Sequence, residues 1–426
     1  MSGLREGLEI EDGNRGRRVA GRVAGDIRRH NRAVVLELVR NLGPVSRAEV
    51  ARAARLSPAT VAEIIGELVR EGLVRVAGEG PSTGGRPPAL VELDPEARSA
   101  VGLEIGPRTL TAVVTDLNAA VKVRVEKPSK MVEGAKVTAG QVEAIFEQIL
   151  QEVPEAAENS LGVGVAVPAP ILRSRGTRFD PPSDPEWGGL DVPELISRKF
   201  DAPVLVDNDA NARALGEFLF GAGRGASNML YVIAHWGVGG ALVVDGDLRR
   251  GADGGAGEIG HTVIEVDGPP CGCGGYGCLE AFAGRAGIAR RARRALKLAG
   301  RDRLGGVDLD DLKVRHVVQA ARDGDELAAR VLEETGQYLG IGVANAINVL
   351  NPEVVVLGGS TVEIGEMVTG PLVRVARRRA LPGMAEGTRI VKGELGEDAG
   401  AVGAAALVLR ELFAVSVPEA VRRTVV

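Results

Sequence analysis

Three cysteines and one histidine lie close together in the sequence and constrain the fold of this chain more than any other feature. They are His261, Cys271, Cys273 and Cys278, and the 426 residues contain no other cysteine. Three thiolates and one imidazole form the ligand set that tetrahedral Zn²⁺ prefers, and the intervening glycines let the backbone turn tightly around one ion. Three unconnected buried thiols are the alternative, but free cysteines are usually scattered along a chain. The pattern predicts a structural zinc site, because four protein ligands leave no position for a catalytic water.

The charge distribution divides the chain into a basic N-terminal part and an acidic remainder. Residues 13–90 carry 14 Arg against 7 acidic residues, whereas the whole chain has a net charge of −5. A basic segment on an acidic body predicts contact with a polyanion, although a solvated charged surface would give the same composition. The sequence has neither a long apolar run nor an apolar leader core, and cysteines are few. We therefore expect a cytoplasmic protein without membrane contact.

Helix periodicity and capping residues in residues 26–94 predict a winged helix-turn-helix. An apolar stripe indicates a first helix over residues 30–42. A capping box of Ser46 and Glu49 opens a second helix that runs through Arg55, and Ser57 opens a third, with proline at its first position. Strands over residues 73–77 and 89–93, with a loop over 78–85 between them, would form the wing.

The third helix would enter the major groove of double-stranded DNA, and the wing would follow the DNA backbone or minor groove. The residues expected to contact DNA are Arg55, Ser57, Ala59, Thr60 and Arg86. No arginine fork to guanine can be assigned in the first turn of the helix, so the operator sequence stays open. A helical bundle that mediates other contacts is the alternative. Ahead of this head, residues 1–25 lack periodicity and predict a disordered basic arm.

From about residue 95 the pattern changes to short apolar strands separated by helices. Strands are expected over residues 100–105, 110–116 and 121–125, followed by a helix over 139–153. A similar order recurs with strands over 230–234, 240–244 and 354–357. Two α/β halves of this kind would leave a ligand cleft between them.

Polar residues interrupt these apolar segments at two places. Residues 207–211 follow an apolar strand where a helix begins, and Glu258 and Glu280 flank the cysteine segment. Carboxylates and amides pair well with vicinal hydroxyls, because they accept and donate at adjacent positions. The alternative is that Asp207 and Asp209 only cap a helix and that the two glutamates are solvated. Their joint placement around the cysteine segment favours a ligand site.

The chain resembles the ROK family (repressor, open reading frame, kinase) from about residue 28 to 413, and in particular its regulator branch. The resemblance rests on the segment C-x-C-G-x-x-G-C-x-E from Cys271 to Glu280 and on G-E-x-G-H ending at His261. Supporting segments are residues 85–87, 164–168, 208–211 and 351–359. The resemblance implies an α/β protein in which a winged helix-turn-helix precedes an actin/hexokinase-like body of two RNase H-like lobes.

The resemblance also implies roles for individual residues and domain limits. By motif, Asn208, Asp209, Glu258, His261 and Glu280 would contact sugar hydroxyls. In a kinase, Asp209 would be the catalytic base. The body would span residues 95–426, with a hinge near 211–225 and a C-terminal helix near 400–413 that returns to the first lobe.

Two turns that hold nucleotide phosphates in the kinases of the family differ in this chain. Residues 104–109 read Glu-Ile-Gly-Pro-Arg-Thr in place of Asp-x-Gly-Gly-Thr, and His235-Trp236-Gly237 replaces Gly-Thr-Gly. Pro107 has no backbone N–H for a phosphate, and Trp236 is bulky, so ATP chemistry is expected to be impaired. The Asn that precedes a Trp in the regulator branch is matched by Ser183 or Asp184, which leaves the identity of the sugar open.

The sequence therefore predicts a sugar-responsive DNA-binding transcriptional regulator. We expect a repressor of carbohydrate genes that sugar releases from its operator, working as a homodimer or homotetramer because paired heads read paired half-sites. The alternative is an active sugar kinase that uses ATP and Mg²⁺ and carries an appended DNA-binding head. A regulator that senses a phosphosugar or a partner protein also fits.

Overall fold

A computed structural model describes residues 24–81, 87–171, 178–179, 190–197 and 202–413. The N-terminal head comprises α1 (Ala24–Leu42), β1 (Val45–Ser46), α2 (Arg47–Ala54), α3 (Pro58–Arg70), β2 (Val74–Glu79) and β3 (Ala89–Leu93). The predicted starts of α2 and α3 are confirmed. The Oγ of Ser46 accepts from the Glu49 N–H at 3.3 Å, while the Glu49 carboxylate accepts from the Ser46 N–H at 2.9 Å. The Oγ of Ser57 accepts from the Thr60 N–H at 3.1 Å.

The head differs from the sequence prediction in its strands and at its start. β1 pairs with β3, so the wing is a three-stranded sheet in the order β1-β3-β2. β2 continues to Glu79 instead of ending at Ala77, because Gly78 takes a φ of 136° and forms a bulge that a side chain would hinder. α1 begins at Ala24, so residues 24 and 25 are helical, whereas they were expected in the arm. Residues 1–23 and Arg86 lie outside the described part of the chain.

The first half of the body is built on a five-stranded sheet. Its elements are β4 (Ser99–Ile105), β5 (Thr109–Thr115), β6 (Val121–Pro128), α4 (Ala135–Glu152), α5 (Ala156–Asn159), β7 (Ser160–Val167), β8 (Arg178–Phe179), β9 (Leu190–Asp191), α6 (Val192–Ser197) and β10 (Val204–Asn208). The order is β6-β5-β4-β7-β10, with an antiparallel meander followed by two parallel strands. Apolar residues of α4 and of these strands form one core.

The second half repeats this arrangement after α7 (Asp209–Phe220). Its elements are β11 (Met229–Ala234), β12 (Val238–Val244), β13 (Asp247–Arg249), α8 (Leu279–Ala283), α9 (Arg285–Leu298), β14 (Arg303–Leu304), β15 (Val307–Asp308), α10 (Val314–Arg322), α11 (Glu326–Leu350), β16 (Val354–Gly358), α12 (Glu366–Arg379), α13 (Pro382–Gly387) and β17 (Arg389–Lys392). The sheet order β13-β12-β11-β16-β17 matches the first sheet strand for strand. The prediction of two similar α/β halves is confirmed.

The last helix, α14 (Ala399–Phe413), crosses back onto the first sheet. A Cβ at Gly102 of β4 or Gly164 of β7 would overlap the backbone of α14 at Ala401 or Ala404, so glycine permits the helix to lie directly on the strands. α7 packs against α14 on one side and against β11 and β12 on the other. A helix that begins at the cleft therefore touches both halves of the body. None of the helices within the described ranges is long and apolar enough to cross a bilayer.

The head and the body share one hydrophobic core. Val35 and Val39 of α1 belong to the same buried cluster as Leu409 and Phe413 of α14. The guanidinium of Arg40 lies 4.5 Å from the ring centre of Phe413 and 5.2 Å from that of Phe220, the last residue of α7. The head is thus packed onto the body through α1, in addition to the covalent connection that follows the wing.

Candidate effector, metal and DNA sites

The structure brings the four sulfur and nitrogen ligands of the predicted metal site together. One ligand atom each of His261, Cys271, Cys273 and Cys278 lies within 4.8 Å of all the others. The Sγ atoms of Cys273 and Cys278 are 3.8 Å apart, and the Sγ of Cys271 is 3.7 Å from Nδ1 of His261. Metal–sulfur distances of about 2.3 Å in a tetrahedron place two sulfurs about 3.8 Å apart, so the cluster has the size of a tetrahedral ion. These residues could hold a metal ion.

His261 links this cluster to the neighbouring carboxylates. Its Nδ1 faces Cys271, while Nε2 lies 3.9 Å from a carboxylate oxygen of Glu258, and its side chain remains 35% exposed. A histidine that binds a metal through one nitrogen keeps its proton on the other. Two roles are predicted for His261, binding a metal and contacting a sugar hydroxyl, and one side chain can therefore serve both.

The start of α7 carries the first pair of predicted sugar-binding residues. Oδ1 of Asn208 accepts from the N–H groups of Ala210 and Asn211 at 2.9 and 3.4 Å, so Asn208 is the helix cap. This cap occupies the amide oxygen and leaves the NH₂ group as the donor for a ligand. Asp209, directly after it, is partly buried. The cap of α7 is therefore Asn208, whereas the capping alternative considered from the sequence named Asp207 and Asp209.

Three of the predicted carboxylates lie near one another in the cleft. Desolvation raises the pKa of Asp209 to about 6, and the charge of Glu258 contributes in the same direction. Desolvation also raises the pKa of Glu258, with a further contribution from Glu280. Glu280 is held in place by the Val238 N–H, which donates to it at 2.9 Å. The charge of Glu258 thus acts on Asp209 and that of Glu280 acts on Glu258, which places the three acceptors in one neighbourhood, as hydroxyl recognition requires.

Sequence reasoning missed a buried arginine that sits beside Asp209. Arg213 lies one helical turn further along α7, is 9% exposed, and pairs with Glu104 at the end of β4. It also hydrogen-bonds the buried Tyr231 and opposes the rise in the pKa of Asp209. The i, i+4 spacing from Asp209 was the available signal. Arg213 thus compensates two carboxylates, that of Glu104 on β4 and that of Asp209 at the start of α7.

Sequence reasoning also missed an ion pair between Asp207 and Arg250, which connects β10 to the second half of the body. Nε and Nη2 of Arg250 donate to one oxygen of Asp207 at 2.8 and 2.5 Å, and the amide of Asn211 donates to the other oxygen at 2.8 Å. Asp207, only 4% exposed, is therefore a structural residue that orients the start of α7.

The predicted DNA-binding face is exposed, and its charge is distributed unevenly. Arg55, Ser57 and Ala59 are exposed, and Thr60 is partly so. The arginines of α1 are partly neutralised by α3, since Arg28 pairs with Glu63 and Glu67, and Arg32 pairs with Glu71. Arg47, Arg52 and Arg55 on and after α2 are exposed and have no ion pair with a described residue. The arginines of the described head that remain outside ion pairs therefore include those on the side of α2.

The fold and these sites define a class, a winged-helix head on a two-lobed sugar-kinase-like body, and comparison with known proteins identifies the family. Residues 100–411 match the ROK family. The xylose repressor of Caldicellulosiruptor bescii is 30% identical over 390 residues, which cover 91% of this chain and 97% of that protein. The chain belongs to the ROK family.

Solved structures give the same result for the fold. The crystal structure of a ROK family transcriptional regulator, described as a homologue of the E. coli MLC protein, matches with a TM-score of 0.77 and 24% identity, covering 93% of this chain and 99% of that one. A ROK family glucokinase from Streptomyces griseus, in complex with glucose and AMPPNP, matches with a TM-score of 0.62 and 28% identity, covering 72% of this chain and 98% of that one. The predicted fold class is confirmed.

Proposed function

We propose that this chain is a sugar-responsive DNA-binding transcriptional repressor. The observation that carries the proposal is the extent of the similarity. The xylose repressor matches 91% of the chain, head included, whereas the glucokinase matches 72%. A transcriptional regulator must share a compartment with DNA, so we propose that the protein is cytoplasmic. The small number of cysteines agrees with a reducing compartment.

On the DNA side, α3 would lie in the major groove with Ala59 and Thr60 towards the bases. Arg52 and Arg55 would bind phosphates, because they are exposed and form no ion pair within the described chain. Two such heads on one homodimer would read paired half-sites. Sequence preference would come from the first turn of α3, and affinity chiefly from the arginines.

On the effector side, Asn208, Asp209, Glu258, His261 and Glu280 would bind sugar hydroxyls. The His261, Cys271, Cys273 and Cys278 cluster would hold Zn²⁺, which matches its sulfur-rich ligand set. A bound ion would stabilise the segment between Glu258 and Glu280, so both carboxylates would keep their positions. The zinc would thus be structural and would act on sugar binding indirectly.

Sugar binding would reach the head along two packed helices. α7 begins with Asp209 in the cleft and ends with Phe220 beside Arg40 of α1, and α14 packs against both helices. A shift of α7 on sugar binding would therefore displace α1 and change the separation of the two heads. Half-site spacing is fixed by the DNA helix, so a small displacement would weaken several contacts at once.

A sugar kinase is the second candidate function. Asp209 lies in the cleft with a pKa raised to about 6, which suits a general base. The phosphate turns argue against this role, since Pro107 removes an N–H and Trp236 fills the second turn. A coupled assay with ATP, Mg²⁺ and a panel of hexoses tests it, because turnover of about 1 per second or more would establish the kinase.

The experiment for the proposed function uses DNA selected from a random pool by the full chain. Arg52→Gln and Arg55→Gln should each weaken binding and lower the slope of log affinity against log salt by about 0.9, the value for one phosphate contact. Thr60→Ala should instead change the preferred sequence. Arg378→Gln, on the exposed end of α12, is the control. Failure to select any sequence, or variants that bind like the parent, would contradict the proposal.

A further inference from the structure

Two turns from opposite halves of the body meet at Trp236. Residues 106–108 connect β4 to β5 in the first sheet, and residues 235–237 connect β11 to β12 in the second. The guanidinium carbon of Arg108 lies 4.6 Å from the ring centre of Trp236, and that of Arg285 lies 4.5 Å from it. Arg108 is exposed and Trp236 is 37% exposed, so the cluster faces solvent. Two guanidinium groups thus share one indole where the halves meet.

The positive charge of this cluster is not balanced by the described protein. No carboxylate of the described residues lies within ion-pairing distance of Arg108 or Arg285. Arg285 donates to Oγ of Ser360 at 3.1 Å, and the same oxygen lies 2.7 Å from Nδ1 of His235. Burial and then the charge of Arg108 lower the pKa of Arg285. An anion that reaches both guanidinium groups would relieve this repulsion between like charges.

His235 adds hydrogen-bonding capacity to the cluster without adding charge. Burial, with smaller contributions from Arg285, Arg213 and Arg108, lowers the pKa of His235 to about 4. The ring is therefore neutral near pH 7. The cluster then carries two positive charges, both on groups whose planar edges can donate two parallel hydrogen bonds to an oxyanion.

The arginine cluster adjoins the proposed sugar site. The Val238 N–H donates to Glu280, and the Arg285 N–H donates to the Trp236 carbonyl at 3.0 Å. The turn at Trp236 therefore contacts a carboxylate of the sugar site on one side and the arginine on the other. One small ligand with hydroxyls and an anionic group could reach both.

We propose that Arg108 and Arg285 form a phosphomonoester site and that the effector of this regulator is a sugar phosphate. This inference rests on the proposed function and specifies the ligand class of the same cleft. The two arginines and the Ser360 hydroxyl bind the phosphate, while Trp236 orients both guanidinium planes by stacking. A phosphate dianion matches the two charges, whereas a free sugar leaves them unpaired. Recognition by side chains replaces the backbone N–H groups on which a nucleotide-binding turn depends.

Inorganic phosphate is the first probe, because it needs no knowledge of the sugar. Titration calorimetry and thermal unfolding of the full chain compare phosphate with chloride at equal ionic strength. Phosphate should bind the parent and raise its melting temperature. Arg108→Gln and Arg285→Gln should each weaken phosphate binding by about tenfold or more, and Arg378→Gln should leave it unchanged. No specific effect of phosphate on the parent, or an equal effect on the glutamine variants, would overturn the proposal.

Matched ligand pairs distinguish the source of the phosphate. Glucose, N-acetylglucosamine and xylose are compared with their monophosphates, and ATP is a further competitor. At least one sugar phosphate should bind the parent about tenfold or more tightly than its free sugar, and Arg285→Gln should remove that difference. Equal binding of every pair, or ATP binding more tightly than every sugar phosphate, would overturn the assignment of the effector.

Measuring operator binding with the same protein preparations distinguishes a failure of this inference from a failure of the proposed function. If the chain binds operator and only free sugars release it, the phosphate site is wrong and the regulator stands. If sugar phosphates bind through Arg108 and Arg285 but the chain binds no operator, the site stands and the regulator is wrong.

Discussion

From the contacts between head and body we predict that substituting one arginine, Arg40, lowers the free energy of unfolding by an unusually large amount. Arg40 and Glu37 of α1 form an ion pair at 2.6 Å, and their side chains are only 8% and 13% exposed. Arg40 also lies over the rings of Phe220 and Phe413. Arg40→Met retains most of the apolar stem but removes the charge. The Glu37 carboxylate would then be buried, and among the described residues only the Asn41 amide would donate to it.

The magnitude follows from opposing contributions. Breaking a buried ion pair by removing one partner costs about 3–5 kcal/mol, and each cation–π contact adds about 0.5–2 kcal/mol. Nε and Nη1 of Arg40 are buried without a hydrogen-bond partner among the described residues, so removing these groups offsets part of this loss of stability. We expect Arg40→Met to lower the free energy of unfolding by about 2–4 kcal/mol. The double variant with Glu37→Leu should recover most of the loss, because neither buried charge then remains.

Urea denaturation of the full chain measures this effect as a shift of the unfolding midpoint. Arg75 and Glu92, an ion pair on the exposed wing, provide the matched control, since solvent screens this pair and Arg75→Met should shift the midpoint much less than Arg40→Met. If Arg40→Met costs no more than Arg75→Met, or if the double variant is as unstable as the single one, the role assigned to this junction is wrong. The Arg40→Met variant should also show a smaller effect of effector on operator affinity.

Three further predictions concern the cleft, the metal and the enzyme alternative. Because folding raises the pKa of Asp209 from 3.8 to about 6, the folded chain binds more protons than the unfolded chain in this window, and stability falls as pH rises through it. Asp209→Asn should therefore stabilise the chain at pH 8 by about 1–2 kcal/mol and have little effect at pH 4, as thermal unfolding at both pH values would show. Elemental analysis should find one zinc per chain, and Cys273→Ser should lose zinc, stability and sugar affinity together, whereas an unchanged zinc content would contradict the ligand assignment. The parent should give no hexokinase turnover with ATP, and turnover abolished by Asp209→Asn would reverse that conclusion.

Local patterns predicted the helices and strands well because capping and periodicity act over a few residues. The hydroxyls of Ser46 and Ser57 cap the helices that they were expected to open. The cysteine segment was equally local, with three candidate metal ligands within eight residues of one another. The two-residue strand β1 was missed because so short a segment has no measurable alternation.

The contacts between distant segments could not be predicted in the same way. Arg213 and Glu104 are 109 residues apart, and Arg108 meets Trp236 across the two sheets. A charged residue in a sequence window is expected at the surface, because its partner is supplied only by the fold. The residues Ser183 and Asp184, on which the identity of the sugar depends in part, lie outside the described ranges. The domain limits stay predictions. So does the hinge near residues 211–225, a range that covers most of α7 and the segment after it.

The most direct test of the regulator is the affinity for selected operator DNA with and without effector. The account predicts that a cleft ligand weakens operator binding by about 1–3 kcal/mol, or about 5- to 150-fold, and that operator weakens ligand binding by the same factor. Fluorescence anisotropy of labelled operator gives the first number, and calorimetry of the ligand with and without operator gives the second. Operator affinity that stays the same with every sugar and sugar phosphate bound in the cleft would contradict the account.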